Sequence, residues 1–302
     1  MRTPRVSIGM PLYNGEKYVK FAIESLLEQE FKDFELIISD NASTDGTRRI
    51  CEEYAKLDGR IRYHRCAANV GATPNFNRVW SLAQGELFKW AAYDDECCPG
   101  SIKEYVEAFD AAPSDTSLIY SHCAIIDESG RVKRTRCDSL SIDAARPHAR
   151  LRQLLGHMGT YDAFYGLIRA GALRKTRLLR PCLRNDCVLL AELAIQGPFM
   201  QLDRVLFRLR EHHENASQAN RSRIAHLLWN DRAHVIRGLL LPVREREVLE
   251  YLRGVACSQI GASEKARCCY VVLSTYYWRR IRTFAGRNRR RLAGMYHSKC
   301  LN

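Results

Sequence analysis

The sequence predicts an α/β protein: a mostly parallel, mixed sheet with helices on both faces, extended at its C-terminus by a basic helical segment. Three observations predict this. Short apolar runs alternate with stretches of helical periodicity from the N-terminus onward, the pattern of strand–helix–strand units. Two of the runs end in acids, Asp40 and the pair Asp94-Asp95. The charge is also divided: residues 1–220 carry 30 Lys+Arg against 29 Asp+Glu, whereas residues 221–302 carry 17 against 5, so the tail holds nearly all of the net +13.

Each element follows in order. Arg5 to Pro11 reads as a strand stopped by proline, and Tyr13 to Glu16 as a turn. Tyr18 to Glu30 has apolar residues at Val19, Ala22, Ile23, Leu26 and Leu27, which is helical spacing. Phe34 to Asp40 is a second strand, and the polar loop Asn41 to Thr47 can cap a helix from Arg48 to Leu57. Ile61 to His64 is a short strand, Asn69-Val70-Gly71 a turn, and Pro74 to Ala83 a helix. Gly85 precedes the strand 86–93, which delivers the acid pair. Pro99 to Ala111 reads as a helix, Ser117 to Ile126 as a strand, and Asp127 to Gly130 as a turn. Residues 131–150 are polar and basic and read as a mobile loop. A helix over Leu151 to Met158, a strand over Ala163 to Arg169 and a short helix over Ala170 to Thr176 follow. Asp186 opens a helix over Val188 to Gln196, Phe199 to Leu209 contains a strand, and helical periodicity dominates from Arg221.

Composition narrows the function classes. No run approaches the ~20 apolar residues that span a bilayer, and Met1 to Arg5 does not read as a signal peptide. The expected location is the cytoplasm, with the tail as a peripheral contact to the inner membrane. Twelve cysteines without a C-x-x-C spacing favour buried, reduced thiols over a zinc site. The pI of about 9.3 and the tail's arginines allow nucleic-acid binding, yet no binding motif is present and the excess charge misses the α/β part. In the tail, Tyr270, Leu273, Tyr276, Tyr277 and Trp278 are mixed with Arg279, Arg280, Arg282, Arg287 and Arg289 to Arg291, a composition suited either to an anionic membrane surface or to a helix packed on the first domain.

The acid pair carries the chemistry. In open α/β sheets ligands bind outside the carboxyl ends of strands. Two acids there repel each other and lose hydration, and a divalent cation bridging phosphate oxygens relieves both costs. The alternative is a solvated surface turn.

The ordered motifs Met10 to Glu16, Ser39 to Thr47, Asn69-Val70-Gly71, Gly85-Glu86 and Asp94-Asp95 with Pro99 resemble a family 2 glycosyltransferase of the GT-A fold, from Val6 to about Ser217. Lys89 to Asp95 resembles a bacterial polysaccharide-type branch of it. The resemblance implies that Pro11, Tyr13 and Glu16 line the nucleotide pocket, that Asp40 hydrogen-bonds the base, and that Asp45 is the next acid of that motif. It implies that Asn69, Gly71 and Asn77 shape the donor site. Asp94 and Asp95 stand for the family's D-x-D motif, whose usual first Asp falls here at Ala92. They are expected to hold Mg²⁺ or Mn²⁺ and face the donor sugar. Asp186 matches the catalytic base, in competition with a helix-capping role. His212, with His213 as the alternative, matches a histidine that approaches the diphosphate and metal. The implied activity is inverting transfer from a nucleotide-diphosphate sugar, expected to be a UDP-sugar, to a saccharide or lipid-linked hydroxyl. A non-catalytic relative is the alternative suggested by Ala92. Residues 1–220 are expected to form the catalytic domain and 221–302 the extension.

Overall fold

The structure, a computed structural model, describes residues 3–137, 141–157, 162–213 and 243–277. The first half is built as the apolar pattern dictates. Strands β1 (Val6–Leu12) and β2 (Phe34–Asp40) are buried along their whole length. Helix α1 (Val19–Leu27) buries Val19, Ala22, Ile23 and Leu26, one stripe of a 3.6-residue period. Helix α2 (Thr47–Leu57), strand β3 (Ile61–Arg65), helix α3 (Ala72–Ser81) and strand β4 (Leu87–Trp90) continue the alternation.

The acid pair lies between β4 and a two-residue strand, β5 (Glu96–Cys97). Then come α4 (Ser101–Ala111), β6 (Leu118–Ile126), β7 (Val132–Arg136), α5 (Pro147–Gly156), a 3₁₀ turn (Asp162–Tyr165), β8 (Leu167–Arg169), α6 (Ala170–Leu173), α7 (Asn185–Gln196) and β9 (Phe199–Arg210). Two tail helices follow, α8 (Val243–Cys257) and α9 over 262–277.

The sheet order is β3-β2-β1-β4-β8-β6-β9-β5, with β7 paired to β6. Strands β3, β2, β1 and β4 run parallel, so the ends of β1, β2 and β4 share one rim. β8 is antiparallel to both β4 and β6, while β6 and β9 are parallel. Antiparallel pairing of β5 with β9, Glu96 opposite Arg208, carries the acid pair to the end of β9.

Side-chain alternation along the strands feeds two cores. Val6, Ile8, Met10, Leu36 and Ile38 pack with α1 and α4 on one face. Ile37, Phe88 and Trp90 pack with α3, α5 and α7 on the other. Gly9 makes the second layer possible, because a Cβ there would lie 2.6 Å from Val79 Cγ2. Tyr251 and Val255 of α8 and Cys268, Val271 and Val272 of α9 are buried in the same cluster as α7.

Some expectations are corrected. The stretch expected to be a mobile loop holds regular structure where it is described: β7 forms a hairpin with β6, and α5 starts at Pro147 rather than Leu151. β7 carries Lys and Arg on an exposed edge, so it shows no apolar alternation. The strand expected over Ala163 to Arg169 is a 3₁₀ turn followed by three strand residues. The expected domain boundary at 220, Met158, and the tail from Trp278 onward lie outside the described residues. Within α8 and α9, 243–277, five basic residues meet four acids, so most of the tail's excess charge lies elsewhere. Among the described residues no helix is long and apolar enough to cross a membrane.

Candidate active site

The rim is assembled by side chains that tie one strand-end loop to the next. After β1, the Asn14 backbone N–H donates to Ser43 Oγ and the Gly15 N–H to Thr47 Oγ1. The Glu16 N–H donates to Asp45 at 3.1 Å, and Glu16 in turn accepts from the Gly46 N–H at 2.8 Å. Asn41, 3% exposed, donates to Asn69 Oδ1 and the Gly71 carbonyl and accepts from the Val70 N–H. Gly71 takes φ +95°, where glycine is the favoured residue. Asn185 donates to Thr73 Oγ1 at 2.9 Å, docking the start of α7 onto α3.

At the end of β4 the acid pair is held from two directions. The Arg210 N–H donates to Asp95 Oδ1 at 2.8 Å, and Arg210 Nε to the Asp94 carbonyl at 2.9 Å. The Arg210 guanidinium, 2% exposed, also pairs with Glu96 and donates to the carbonyls of Asp127 and Glu128. His212 Nε2 sits 3.0 Å from Asp94 Oδ2. Beneath Asp95 the buried Lys89 donates to the Tyr165 carbonyl, beside a cavity of about 10 Å³, room for about one water.

The electrostatics follow from this burial. Desolvation first, then the charge of Asp94, pushes the Asp95 carboxyl well above the usual carboxylate range, against the pull of Arg210 and Lys89. Burial pulls the Lys89 ammonium down. Burial raises the Asp186 carboxyl, although it accepts from the Cys187 N–H and feels Arg184. The expected capping role would lower that carboxyl, so burial outweighs the helix N-terminus here. The phenol of Tyr165 is pushed up by burial and by the charges of Asp95, Asp94, Asp186 and Asp162.

Several expected site residues occupy other surroundings. Asp40 is fully buried: Oδ1 accepts from the Ser43 N–H and Oδ2 from the Tyr63 hydroxyl, with Arg65 Nε 3.6 Å from Oδ2. Asp45 and Glu16 clamp the two loops together. Asn77 donates to the Leu179 carbonyl and accepts from the Leu179 N–H, so both ends of its amide hold the segment before α7. His213 points outward, its side chain 72% exposed and paired with Glu128, whereas His212 is the histidine beside the acids. Pro11 is buried in β1 opposite Ser39, and Tyr13 is 39% exposed at the rim.

Sequence reasoning passed over Arg210, Asn41, Lys89 and Tyr165. Asn41 stands inside a quoted motif. A lysine within an apolar strand was the available signal for Lys89. Arg210 lies in the stretch Arg208 to Ser217 that carries the matched histidine, and Tyr165 carries no signal.

Adjacent carboxylates with an imidazole on one of them are oxygen and nitrogen donors of the kind Mg²⁺ and Mn²⁺ accept. Among the described residues no three such side chains gather around a common point. The protein would therefore supply one or two ligands, with phosphate oxygens and water supplying the rest.

The family profile of Glycosyl transferase family 2 matches residues 7–176. An uncharacterised glycosyltransferase of Rickettsia conorii is 34% identical over 131 residues, 43% of this chain and 21% of that protein. The GalNAc(5)-diNAcBac-PP-undecaprenol beta-1,3-glucosyltransferase of Campylobacter jejuni is 29% identical over 133 residues, 43% of this chain and 41% of that protein. The matched part thus spans less than half the length of either relative. Among solved structures, S. aureus TarS 1-349 in complex with UDP-GlcNAc superimposes with a TM-score of 0.64 at 18% identity, covering 90% of this chain and 72% of that one. The mannosyltransferase PcManGT of Pyrobaculum calidifontis, in complex with GDP-Man and Mn²⁺, gives a TM-score of 0.54 at 14% identity, covering 91% and 74%. At these identities the likeness concerns the fold, which is GT-A.

Proposed function

The chain belongs to glycosyl transferase family 2, and we propose that it transfers a sugar, with inversion, from a UDP-sugar to a hydroxyl of a saccharide or lipid-linked saccharide in bacterial polysaccharide or glycolipid assembly. The observation that carries this reading is the adjacent pair Asp94 and Asp95 at the end of β4, with His212 Nε2 3.0 Å from Asp94 Oδ2. The TarS complex with UDP-GlcNAc supports the donor class, and the Campylobacter relative's name supports the acceptor class.

Each residue has a role in this reading. Tyr13 and the Asn69–Gly71 turn receive the nucleoside, on a floor that Asp40 and Asn41 hold in shape. Asp94 and Asp95 hold a divalent cation, and His212 fixes the orientation of Asp94. When bound, that cation neutralises charge on the departing diphosphate. Asp186 takes the proton of the acceptor hydroxyl as its oxygen attacks the anomeric carbon. A carboxyl raised by burial is a stronger base than an ordinary surface aspartate, which suits this task. The attack comes from the face opposite the leaving diphosphate, so the anomeric configuration inverts. The basic tail is assigned to an anionic membrane surface that presents the acceptor.

A thermal-shift screen of nucleotide sugars with and without Mn²⁺ tests the donor assignment. A UDP-sugar should raise the melting temperature only when the metal is present. Stabilisation by none of them would remove the assignment.

A further inference from the structure

Between α6 and α7 the chain runs through a segment that leads to Asp186 in the first turn of α7 and contains two non-glycine residues in the left-handed region, Leu178 (φ +59°) and Arg184 (φ +59°). Arg184 is the residue immediately before α7, and its conformation sets the direction in which the helix and Asp186 start. Backbone of this kind persists only where its surroundings over-determine it.

Much of what determines it comes from the tail helix α8. At one end of the segment, Arg177 pairs with Glu192 of α7 at 2.7 Å and with Glu250 of α8 at 2.9 Å, and it also donates to the Glu250 carbonyl at 2.6 Å. In the middle, Arg246 of α8 donates to the Pro181 carbonyl. At the far end, Glu247 of α8 lies 3.7 Å from Arg184 and accepts from the Tyr251 hydroxyl at 3.0 Å. Glu192, Glu247 and Glu250 are 4%, 9% and 7% exposed, so the carboxylate side of each pair is withdrawn from solvent. Gly254 lets α8 approach, since a Cβ there would lie 2.8 Å from Glu192 Oε1. On its other side the segment is held by the Asn77 clamp on Leu179.

We propose that α8 is part of the catalytic apparatus: Glu247 and Glu250 are positioning residues that hold the turn at Arg184 and, through it, the carboxylate of Asp186. The proposal rests on the reading of Asp186 as the base. A tail helix then acts on the chemical step, because the ties among the strand-end loops at Glu16, Asn41 and Asp45 are made by residues outside α8.

The test is Glu247→Gln in the full chain, which keeps an acceptor for Tyr251 and removes the charge facing Arg184. Amide hydrogen exchange over 179–187 is measured beside kcat and KM. Exchange there should quicken about tenfold and kcat should fall roughly 10- to 100-fold, with the donor KM within about twofold. Arg184→Gly in the same background should recover most of the lost kcat, because glycine takes left-handed backbone unaided; a general loss of stability would not be recovered this way. Glu250→Gln, which removes the α8 charge that Arg177 pairs with, is the second variant and should give the same pattern if the first fails to fold. Unchanged exchange would overturn the positioning role. Faster exchange with unchanged kcat would overturn its catalytic consequence. Asp186→Asn, assayed alongside, judges the base assignment separately: if it retains turnover, the base reading fails even where the exchange result shows that α8 holds the turn.

Discussion

His212 Nε2 and Asp94 Oδ2 lie 3.0 Å apart across 118 residues of sequence. The contact exists because β5 pairs with β9 and Arg210 links the backbone of β9 to Asp95. A buried imidazole on one oxygen fixes which way Asp94 points. His212→Ala should weaken metal-dependent donor binding by about 10- to 100-fold, the usual cost of losing a residue that orients a metal ligand. His213→Ala, on the exposed side of the same turn, should leave the affinity unchanged. Calorimetric titration of the donor with Mn²⁺ measures both, and equal effects of the two substitutions would contradict the assignment.

Asp186→Asn should lower kcat by roughly 10²- to 10⁴-fold, the range for removing a general base, while donor affinity stays within about twofold. Retention of wild-type turnover would reject Asp186 as the base.

The raised carboxyl of Asp186 also sets a pH dependence. Only the ionised form accepts a proton, so kcat should rise with pH along a limb that lies above the ordinary carboxylate range. The stability effect has the opposite sign. A folded-state pKa above the unfolded one favours the fold at low pH, and that contribution is lost as pH rises through the folded value. Asp186→Asn should therefore melt a few degrees higher than the wild type at pH 8 and match it near pH 3. A constant difference across this range would contradict the burial argument.

Asn77→Ala should cost about 1–3 kcal/mol of stability, because a buried backbone donor and acceptor of Leu179 lose their partner. Donor KM should not change. A raised KM at unchanged stability would return Asn77 to the donor pocket.

Much of the rim was legible in the sequence. The apolar runs ending in Asp40 and in Asp94-Asp95 located the strand ends, because a strand buried on both faces reads as a continuous hydrophobic run. What those acids do next was not legible. Asp40 is enclosed by Tyr63 from the neighbouring strand, a partner fixed by sheet register. Local pattern cannot choose between His212 and His213, since the choice depends on how β9 meets β5. β7 escaped notice because an exposed edge strand of Lys and Arg has no apolar face to reveal it. The burial of α8 and α9 in the same cluster as α7 is equally a tertiary fact, which the charge distribution does not reveal.

The most direct measurement of the central claim is calorimetric binding of a UDP-sugar to the wild type and to Asp94→Asn, each with and without Mn²⁺. The wild type should bind at least tenfold more tightly when the metal is present, and the variant should lose that difference. Equal affinity under all four conditions would contradict the claim that the acid pair holds the donor's diphosphate through a cation.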